Sequence, residues 1–159
     1  MKDAPRALRD VLGRFATGVC IVTAADDSGA AFGMTVNSFA SVSLEPPLIL
    51  WSVGRDAWCC EQFLQAESFA IHVLGSSQRD LSMHFARKNV DKFANLDWHA
   101  DASGAPDISD CVARFSCKTE RRIPAGDHTI ILGAVQQFEA RNEEAPLLFY
   151  RGQFEKLNA

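Results

Sequence analysis

The sequence lacks most of the motifs that assign a chain to a familiar class of nucleotide-binding or hydrolytic protein. It contains no G-x-G-x-x-G fingerprint, no G-x-x-x-x-G-K-[ST] loop and no G-x-S-x-G elbow. Neither a Rossmann nucleotide site, a phosphate-binding loop nor a serine hydrolase is therefore predicted. The four histidines form no H-E-x-x-H motif and the five cysteines form no C-x-x-C pair. The sequence gives no support for a metal site.

An excess of charge of one sign and a long apolar run are also missing. The formal net charge is -4, and the 16 basic residues are scattered along the chain rather than grouped. This distribution does not favour nucleic-acid binding. No apolar segment approaches the roughly 18 residues that span a bilayer, and the N-terminal MKDAPRALRD is too polar for a secretory signal. We expect a cytoplasmic protein that binds neither nucleic acid nor a membrane.

The length and the cysteine content are typical of one intracellular domain. A chain of 159 residues is the size of a single domain, and we assign one domain to residues 1–159. Five cysteines are an odd set, which predicts buried free thiols in a reducing compartment. The neighbours Cys59 and Cys60 are an alternative candidate for a strained disulfide or a redox pair. Adjacent residues are poorly placed for disulfide geometry, so we favour free thiols.

The first third of the chain predicts a helix followed by three strands. Pro5 suits the first turn of a helix whose apolar residues recur at i, i+3, i+4 and i+7, and Gly18 is predicted to end it. Residues 19–25 and 30–36 are apolar and flank the turn DDSG, which predicts a hairpin. The apolar run LILWSV at 48–53 predicts a buried strand.

The middle of the chain predicts two short helices around a strand. Asp56 is predicted to cap a helix over residues 57–66, and a strand follows at 69–74. Ser77 with Asp80 three residues later resembles a capping box for the third helix.

The rest of the chain predicts a long connection and three strands. Residues 89–110 show no regular pattern, and structureless loops of this length tend to be functional or mobile. Residues 111–123, 128–140 and 147–154 predict strands. The resulting seven strands are joined mostly by turns too short for parallel crossovers. The predicted fold is mostly β, an antiparallel Greek-key barrel with peripheral helices.

The stretch GMTVNSFASVSLEPP at 33–47 carries a row of small, uncharged polar side chains. These side chains belong to Thr35, Asn37, Ser38, Ser41 and Ser43. They are either polar groups that face solvent or hydrogen-bond donors on a loop. In the second interpretation, the apolar residues between them and the double proline hold the loop against the core. Such a loop suits a flat heteroaromatic ligand rich in carbonyl and ring-nitrogen acceptors. The residues alone leave both interpretations open.

Two other segments also have a structural and a functional interpretation. His128 begins a strand after Ala-Gly-Asp, where it either hydrogen-bonds its neighbour Asp127 or faces a ligand. The segment ARKNVDKF at 86–93 is either a solvated helix end or a source of cations and an aromatic face for a phosphate or an adenine.

Taken in order, several segments resemble the flavin reductase-like family of FMN-binding split-barrel proteins. They are RDVLGRFATGVCIVTA, GMTVNSFASVSLEPPLIL, FAIHVL, FARKNVDKF, AGDHTIILGAV and PLLFYRGQF. More narrowly, the chain resembles the small reductase component of two-component flavin-dependent monooxygenases. The resemblance implies a split antiparallel barrel and a homodimer with flavin near the subunit interface. It also implies reduction of FMN or FAD by NADH or NADPH, and a separate monooxygenase that receives the reduced flavin.

The resemblance assigns a role to each matching residue. Thr35, Asn37 and Ser38 match the family's MTxNS motif and are implied to contact the isoalloxazine and ribityl groups, with Ser41 and Ser43 at the next hydroxyl positions. The other implied flavin contacts are Arg55 near the phosphate, Lys92 and Phe93 near the distal part of the flavin, and, more weakly, Tyr150 and Arg151. His128 matches the GDH motif on the nicotinamide side, where Asp127 would fix its tautomer.

One segment departs from the family pattern. Asp56, Trp58, Cys59 and Cys60 follow Arg55, where the relatives commonly carry small or hydroxylic residues. We therefore expect flavin to exchange as a substrate, or FAD to be preferred.

Two other functions are compatible with the same fold. A non-catalytic flavin-binding protein for storage or sensing would not need a donor at His128. An oxidase related to the pyridoxamine phosphate oxidases would need further cations clustered with Arg55. For the reductase itself, Arg121 and Arg122 are candidates to bind the 2′-phosphate of NADPH.

Overall fold

The structure of the protein, a computed structural model, describes residues 4–88 and 90–157 and consists mainly of β-strands. The first six strands are β1 (Thr17–Gly18), β2 (Cys20–Ala25), β3 (Ala31–Val36), β4 (Ala40–Leu44), β5 (Pro47–Gly54) and β6 (Ser68–Val73). The other six are β7 (Trp98–Ala100), β8 (Pro106–Ile108), β9 (Ala113–Ala125), β10 (His128–Ala140), β11 (Leu147–Tyr150) and β12 (Gln153–Lys156). The helices are α1 (Ala4–Leu12), α2 (Cys60–Gln65) and α3 (Arg79–Ala86), with a 3-10 turn at Ser76–Gln78.

Seven strands form one antiparallel sheet in the order β3-β2-β6-β9-β10-β5-β4. Every neighbouring pair in this sheet is antiparallel, as the short connections predicted. Within the described residues the sheet does not close, because β3 and β4 are its two edges. Smaller sheets comprise β1-β11-β12 and the hairpin β7-β8. The predicted class, mostly β with antiparallel strands and peripheral helices, is confirmed.

Helix α2 packs against both ends of the large sheet. The ring of Phe63 lies 4.8 Å from that of Phe32 on β3 and 4.8 Å from that of Trp51 on β5. Both contacts are edge-to-face, a favoured geometry for aromatic pairs. The Trp51 ring also contacts Phe69 on β6 at 5.8 Å. One short helix therefore links the two edge regions through a shared aromatic core.

The strand β2 is buried on both faces. Cys20 and Val22 belong to the aromatic core around α2, whereas Ile21 belongs to a second core with Phe85 of α3 and Leu147 of β11. Alternate residues of a strand point to opposite faces, so a strand between two cores is apolar throughout. This arrangement explains the mainly apolar run that predicted the strand. Its one hydroxyl, that of Thr23, is buried and donates to the Pro106 carbonyl at 2.6 Å.

The N-terminal helix ends earlier than predicted. Gly18 is predicted to end it, but α1 ends at Leu12, and the Gly13 N–H donates to the Arg9 carbonyl at 2.8 Å. Gly18 and Thr17 instead pair with β11. None of the described residues of α1 is buried. The apolar side chains that predicted the helix are all exposed, namely Leu8, Val11, Leu12 and Phe15.

The predicted cap of the second helix is wrong. Helix α2 begins at Cys60 and not after Asp56, because the intervening residues form turns. In these turns the N–H of Ala57 donates to the Gly54 carbonyl and the N–H of Cys60 donates to the Ala57 carbonyl, both at 3.0 Å. The residues expected to form the first turn of the helix are therefore held in backbone turns instead.

The predicted capping box of the third helix is also wrong. A 3-10 turn precedes α3, and the Gly75 N–H donates to Gln78 Oε1 at 3.0 Å. Ser77 and Asp80 therefore do not form the box. The hydroxyl of Ser77 donates to Glu144 Oε2 at 3.0 Å, so this serine joins the turn to a distant segment of the chain.

Three segments contain strands that the sequence did not predict. The predicted long connection, whose first residue Asn89 lies outside the described residues, contains the hairpin β7-β8. Residues 147–154 form the hairpin β11-β12 and not one strand, because Arg151 and Gly152 adopt φ values of 51° and 78° in a tight turn. Residues 40–44, predicted to belong to a loop, form β4.

A buried polar cluster holds the hairpin β7-β8 against β9. Asp107 of β8 accepts hydrogen bonds from Arg141 at 2.8 and 2.6 Å, and Arg114 Nε of β9 lies 3.2 Å from the same carboxylate. Arg114 also pairs with Asp101. Burial raises the pKa of Asp107, but the neighbouring His72 and the two guanidinium groups outweigh burial and hold that pKa below its usual range.

We predict that Asp107→Asn destabilises the protein at neutral pH by about 3 to 5 kcal/mol, because it leaves buried arginines without their carboxylate. Since the folded-state pKa of Asp107 is lowered, its contribution is present above the unfolded-state pKa and is lost as pH falls through the folded-state value. The difference in the free energy of unfolding between Asp107→Asn and the unmodified protein should therefore become smaller in acid. Urea unfolding at neutral pH and near pH 3 measures it.

The matched control is Glu155→Gln, which removes an exposed carboxylate on β12. We expect it to change the free energy of unfolding by less than about 0.5 kcal/mol. A free energy of unfolding for Asp107→Asn equal to that of the unmodified protein at neutral pH would contradict the assigned role of the cluster.

Candidate functional site

The outer face of β5 organises the candidate site. Ile49, Trp51 and Val53 are buried, whereas Ser52 and Gly54 lie on the other face of the strand. Residues two apart in a strand share a face and are separated by roughly 7 Å. The end of β5 therefore presents two neighbouring positions on a face that the core does not cover.

Two hydrogen bonds attach Ser38 to the backbone of β5 at Ser52. The Ser52 N–H donates to Ser38 Oγ at 2.9 Å, and Ser38 Oγ donates to the Ser52 carbonyl at 3.2 Å. Asn37 next to it is exposed. Thr35, at the end of β3, donates its hydroxyl to the Ser82 carbonyl of α3 at 2.6 Å. The segment is thus fixed at Thr35 and Ser38, and the amide of Asn37 between them faces outward.

His128 lies at the other end of the same face. It begins β10 and pairs in register with Gly54, and a Cβ placed on Gly54 would lie 3.5 Å from His128 Nε2. The imidazole therefore lies over Gly54, within van der Waals reach of the position that a Cβ would occupy. Asp127 Oδ1 lies 2.7 Å from His128 Nδ1, and this hydrogen bond lowers the pKa of Asp127. The pair leaves Nε2 available to a ligand.

A groove of about 1100 Å³ opens beside Ser38. Its wall also includes Asn37 and Arg151, two further residues that the resemblance assigns to flavin contacts, together with Arg14 and Thr17. Thr17 Oγ1 is buried and has no hydrogen-bond partner within the described part of the chain. The volume suits a large organic ligand, since small-molecule pockets measure about 300 to 1,000 Å³. Uncharged donors, guanidinium groups and an unsatisfied hydroxyl fit a flavin.

Lys92 and Phe93 are both buried, and Lys92 lies beneath Trp58. Lys92 is 3% exposed, and its Nζ donates to the Phe85 carbonyl at 2.5 Å and lies 4.6 Å from the centroid of the Trp58 ring. Burial lowers the pKa of Lys92. The ring of Phe93 packs edge-on against that of Phe85 at 5.3 Å. Trp58 is therefore the member of this group that presents a large surface to solvent.

The other predicted site residues lie at the margins of the site. Ser41 and Ser43 belong to the edge strand β4, where the register with β5 shifts between them. Arg55 is exposed in the turn after β5, and its N–H donates to the Asp127 carbonyl at 2.9 Å. Tyr150 ends β11 and is half-buried.

The structure brings the predicted residues together in two groups and leaves one pair apart. Ser38 bonds the backbone of β5 at Ser52, His128 lies over Gly54 of the same strand, and Asn37 and Arg151 share a groove with Ser38. Lys92 and Phe93 are not among the residues that line that groove, and Lys92 lies instead against the ring of Trp58.

Sequence reasoning missed three contributors to the site. Gly54 follows the apolar run at 48–53, and its place beneath His128 depends on a strand register that the sequence does not show. Arg14 and Thr17 were included in the predicted first helix, so their place in the groove wall was not expected. The signal that could have located them is Gly13, which ends α1.

The side chains that commonly bind metals are dispersed or buried. No group of three or more His, Cys, Asp or Glu residues is arranged to hold a metal ion among residues 4–88 and 90–157. All five cysteines are free and buried, as predicted, and burial raises the pKa of Cys59 to about 11. In the same described part of the chain, no helix has both the length and the apolar character needed to cross a membrane.

The fold and the groove agree with the family comparison. Residues 12–158 match the family model described as flavin reductase like domain. Because this match covers nearly the whole chain, the protein belongs to the flavin reductase-like domain family. The family predicted from the sequence segments is therefore confirmed.

Individual relatives are named as flavin reductases. FMN reductase (NADH) SmoA of Agrobacterium fabrum is 47% identical over 149 residues, which cover 94% of this chain and 84% of that protein. The reductase component of a flavin-dependent trigonelline monooxygenase from Acinetobacter baylyi is 42% identical over 149 residues, 94% of this chain and 48% of that protein. The chain spans between 43% and 59% of the length of three curated relatives that it matches.

A solved structure has the same fold over almost the full length. It is the NADH:FAD oxidoreductase SgcE6 of Streptomyces globisporus in complex with NAD and FAD fragments. It is 39% identical, with a TM-score of 0.92, and the match covers 99% of this chain and 95% of that chain. The antiparallel sheet described above is therefore the fold of a flavin reductase.

We predict that Ser38→Ala destabilises the protein by about 1 to 2 kcal/mol, because it removes two partly buried hydrogen bonds to β5. Urea unfolding followed by circular dichroism measures the change. Ser41→Ala is the matched control, since Ser41 is exposed on β4 and its loss should change stability by less than about 0.5 kcal/mol. Equal stability of Ser38→Ala and the unmodified protein would show that Ser38 does not hold the segment.

Proposed function

We propose that the protein is an NAD(P)H-dependent flavin reductase. NADH or NADPH donates a hydride, a proton with two electrons, from the nicotinamide C4 to N5 of oxidised FMN or FAD. The nicotinamide leaves oxidised, and the reduced flavin is released. The observation that carries this proposal is the outer face of β5, where Ser38 lies beside a flavin-sized groove and His128 lies over Gly54.

The uncharged donors beside β5 suit the proposed ligand. The flavin ring is neutral when oxidised and becomes electron-rich when reduced, so N–H and O–H donors stabilise the charge that develops near N1 and O2. We assign this role to the segment that Ser38 fixes. Its members are Thr35, Asn37, Ser38, Ser41 and Ser43. The donor of Thr35 already bonds the Ser82 carbonyl, so Thr35 acts chiefly by holding the segment.

The charged side chains around the groove suit the rest of the flavin. Arg55 is exposed after β5, and Arg151 lines the groove, so both are available to a phosphate. Lys92 is buried behind Trp58 and contributes positive potential to this end of the site. Phe93 and Tyr150 complete the proposed flavin contacts.

His128 acts by position and charge in this proposal. Hydride transfer needs no general base, but it does need the nicotinamide and the flavin ring stacked within reach of each other. His128 Nε2 lies beside the end of β5, and the hydrogen bond from Nδ1 to Asp127 holds the ring in one orientation. His128 therefore faces the nicotinamide side, and Asp127 fixes its tautomer.

A separate monooxygenase is the proposed recipient of the reduced flavin. This partner is suggested by the relative named as the reductase component of a trigonelline monooxygenase. We also propose that the protein acts in the cytoplasm, where its five buried thiols stay reduced.

A homodimer is the proposed assembly. Leu8, Val11 and Leu12 of α1 are 59% to 64% exposed, and Phe15 just after the helix is 78% exposed. A contiguous apolar patch of this kind on a small domain typically marks a contact with another protein. The patch adjoins the groove, so a second copy that covers it would also enclose the flavin.

We predict that His128→Ala lowers the rate of NADH and NADPH oxidation by about 100-fold, the typical effect of removing one preorganised electrostatic contact. The dissociation constant of flavin should change little, because Ser38 and the groove are intact. The absorbance decay of the reduced nucleotide, with added FMN or FAD, measures the rate.

The control is His99→Ala, which removes a histidine that is exposed on β7, far along the chain from β5. It should retain the full rate. If the unmodified protein binds flavin but oxidises neither nucleotide, the proposal is wrong and a non-catalytic flavin-binding role replaces it. If His128→Ala lost rate and flavin affinity to the same extent, the role of His128 would be structural.

We predict that the protein sediments as a dimer and that Leu8→Asp shifts it to the monomer, since a carboxylate would be desolvated in the proposed contact. Analytical ultracentrifugation over a range of concentrations measures the shift. Leu157→Asp is the control, because Leu157 is 55% exposed but lies at the other end of the chain. A dimer that survives Leu8→Asp would exclude α1 from the interface.

A further inference from the structure

Trp58 presents an aromatic surface at the end of the candidate site. It is 40% exposed, and it lies in the turn between β5 and α2. The backbone of this turn is fixed on both sides of Trp58, since the N–H of Ala57 donates to the Gly54 carbonyl and the N–H of Cys60 donates to the Ala57 carbonyl. The indole is therefore an exposed ring on a rigid support and not a loose surface side chain.

A buried cation lies behind this ring. Lys92 Nζ is 4.6 Å from the centroid of the Trp58 ring and donates to the Phe85 carbonyl at 2.5 Å. Lys92 is 3% exposed and forms no ion pair with any residue in 4–88 or 90–157. A buried ammonium without a carboxylate partner favours an anion nearby. It also withdraws electron density from the indole, which favours stacking of an electron-rich base on the open surface.

A phosphate donor lies on the same turn. Arg55 is exposed and directly follows Gly54, over which His128 lies, and Trp58 comes three residues later. The turn thus carries, in order from the end of β5, a guanidinium for a phosphate and an aromatic ring for a base. The chemical group that this pair recognises is an adenine nucleotide. FAD carries one beyond its flavin ring, whereas FMN ends at its single phosphate.

We infer that Trp58 is a stacking platform for the adenine of FAD, and that the protein binds FAD in preference to FMN. The inference rests on the proposed function, because it requires the flavin ring to lie along β5. NADH and NADPH contain the same adenine nucleotide. We assign the platform to FAD because Ser38, which is bonded to the backbone of β5 at Ser52, holds the segment that the proposed function assigns to the flavin ring.

The test compares Trp58→Leu, which removes the aromatic surface, with Trp58→Phe, which keeps a smaller one. Fluorescence titration gives the dissociation constants of FAD and FMN for each protein, and circular dichroism verifies that each variant is folded. Phe138→Leu is the control for loss of an exposed aromatic ring, because Phe138 is 75% exposed on β10, outside the site.

The unmodified protein should bind FAD more tightly than FMN. Trp58→Leu should weaken FAD binding by about tenfold, since base stacking on an aromatic side chain is typically worth at least that factor. FMN binding should change by less than about twofold, because FMN has no base to stack. Trp58→Phe should retain most of the preference, and Phe138→Leu all of it.

Equal affinity of the unmodified protein for both flavins, or equal losses for both in Trp58→Leu, would overturn the inference. A raised KM for NADH with FMN as acceptor, without a change in the FAD to FMN ratio, would assign the platform to the nicotinamide nucleotide instead and also overturn it. Failure of the proposed function would give a different result. The unmodified protein would then bind flavin but leave it unreduced with NADH or NADPH, whatever its ratio of FAD to FMN affinity. If neither flavin binds, both the function and the inference are wrong.

Discussion

The arrangement of the site depends on the alternation of side chains along β5. The face that carries Trp51 closes the aromatic core with Phe63 of α2, so this strand cannot rotate or slip without opening the core. The opposite face is thereby held in place, and it presents Ser52 and Gly54 to the outside. Ser38 binds the backbone at the first of these positions and His128 lies over the second. A packing requirement on one face of a strand thus sets the geometry of a functional site on the other.

Stability and function depend on different polar groups in this fold. The cluster around Asp107 holds the hairpin β7-β8 on the sheet and consists of charges that pair with one another in the interior, although Arg114 Nε lacks a hydrogen bond of good geometry among the described residues. The groups around β5 are partly exposed, and several have donors or acceptors to spare, such as Thr17 Oγ1 in the groove wall. Unsatisfied polar atoms are rare inside folded proteins, and they are expected where a ligand supplies the missing partner. The groove beside Ser38 and the exposure of the groups around it are the physical reasons for assigning the site to β5 and not to the buried cluster, whose charges pair with one another.

Much of the fold followed from local pattern. Apolar runs bounded by turn residues predicted the strands β2, β3, β5 and β6, and β2 shows the reason most clearly, because it lies between two cores. Tertiary contacts decided what the sequence did not. The hairpins within residues 89–110 and 147–154 depend on neighbours distant in sequence, since Asp107 of β8 binds Arg141 and β11 pairs with β1. The candidate site was predicted by resemblance, whereas the roles of Gly54 and Thr17 required the register and the groove.

The most direct test of the central claim is a crystal structure of the protein with oxidised FAD bound. The account predicts electron density for the isoalloxazine ring along the outer face of β5, within hydrogen-bond distance of Ser38 and beneath His128. The adenine would lie on Trp58. A flavin ring bound elsewhere, with the outer face of β5 filled by protein or solvent, would contradict the claim that this strand organises the site.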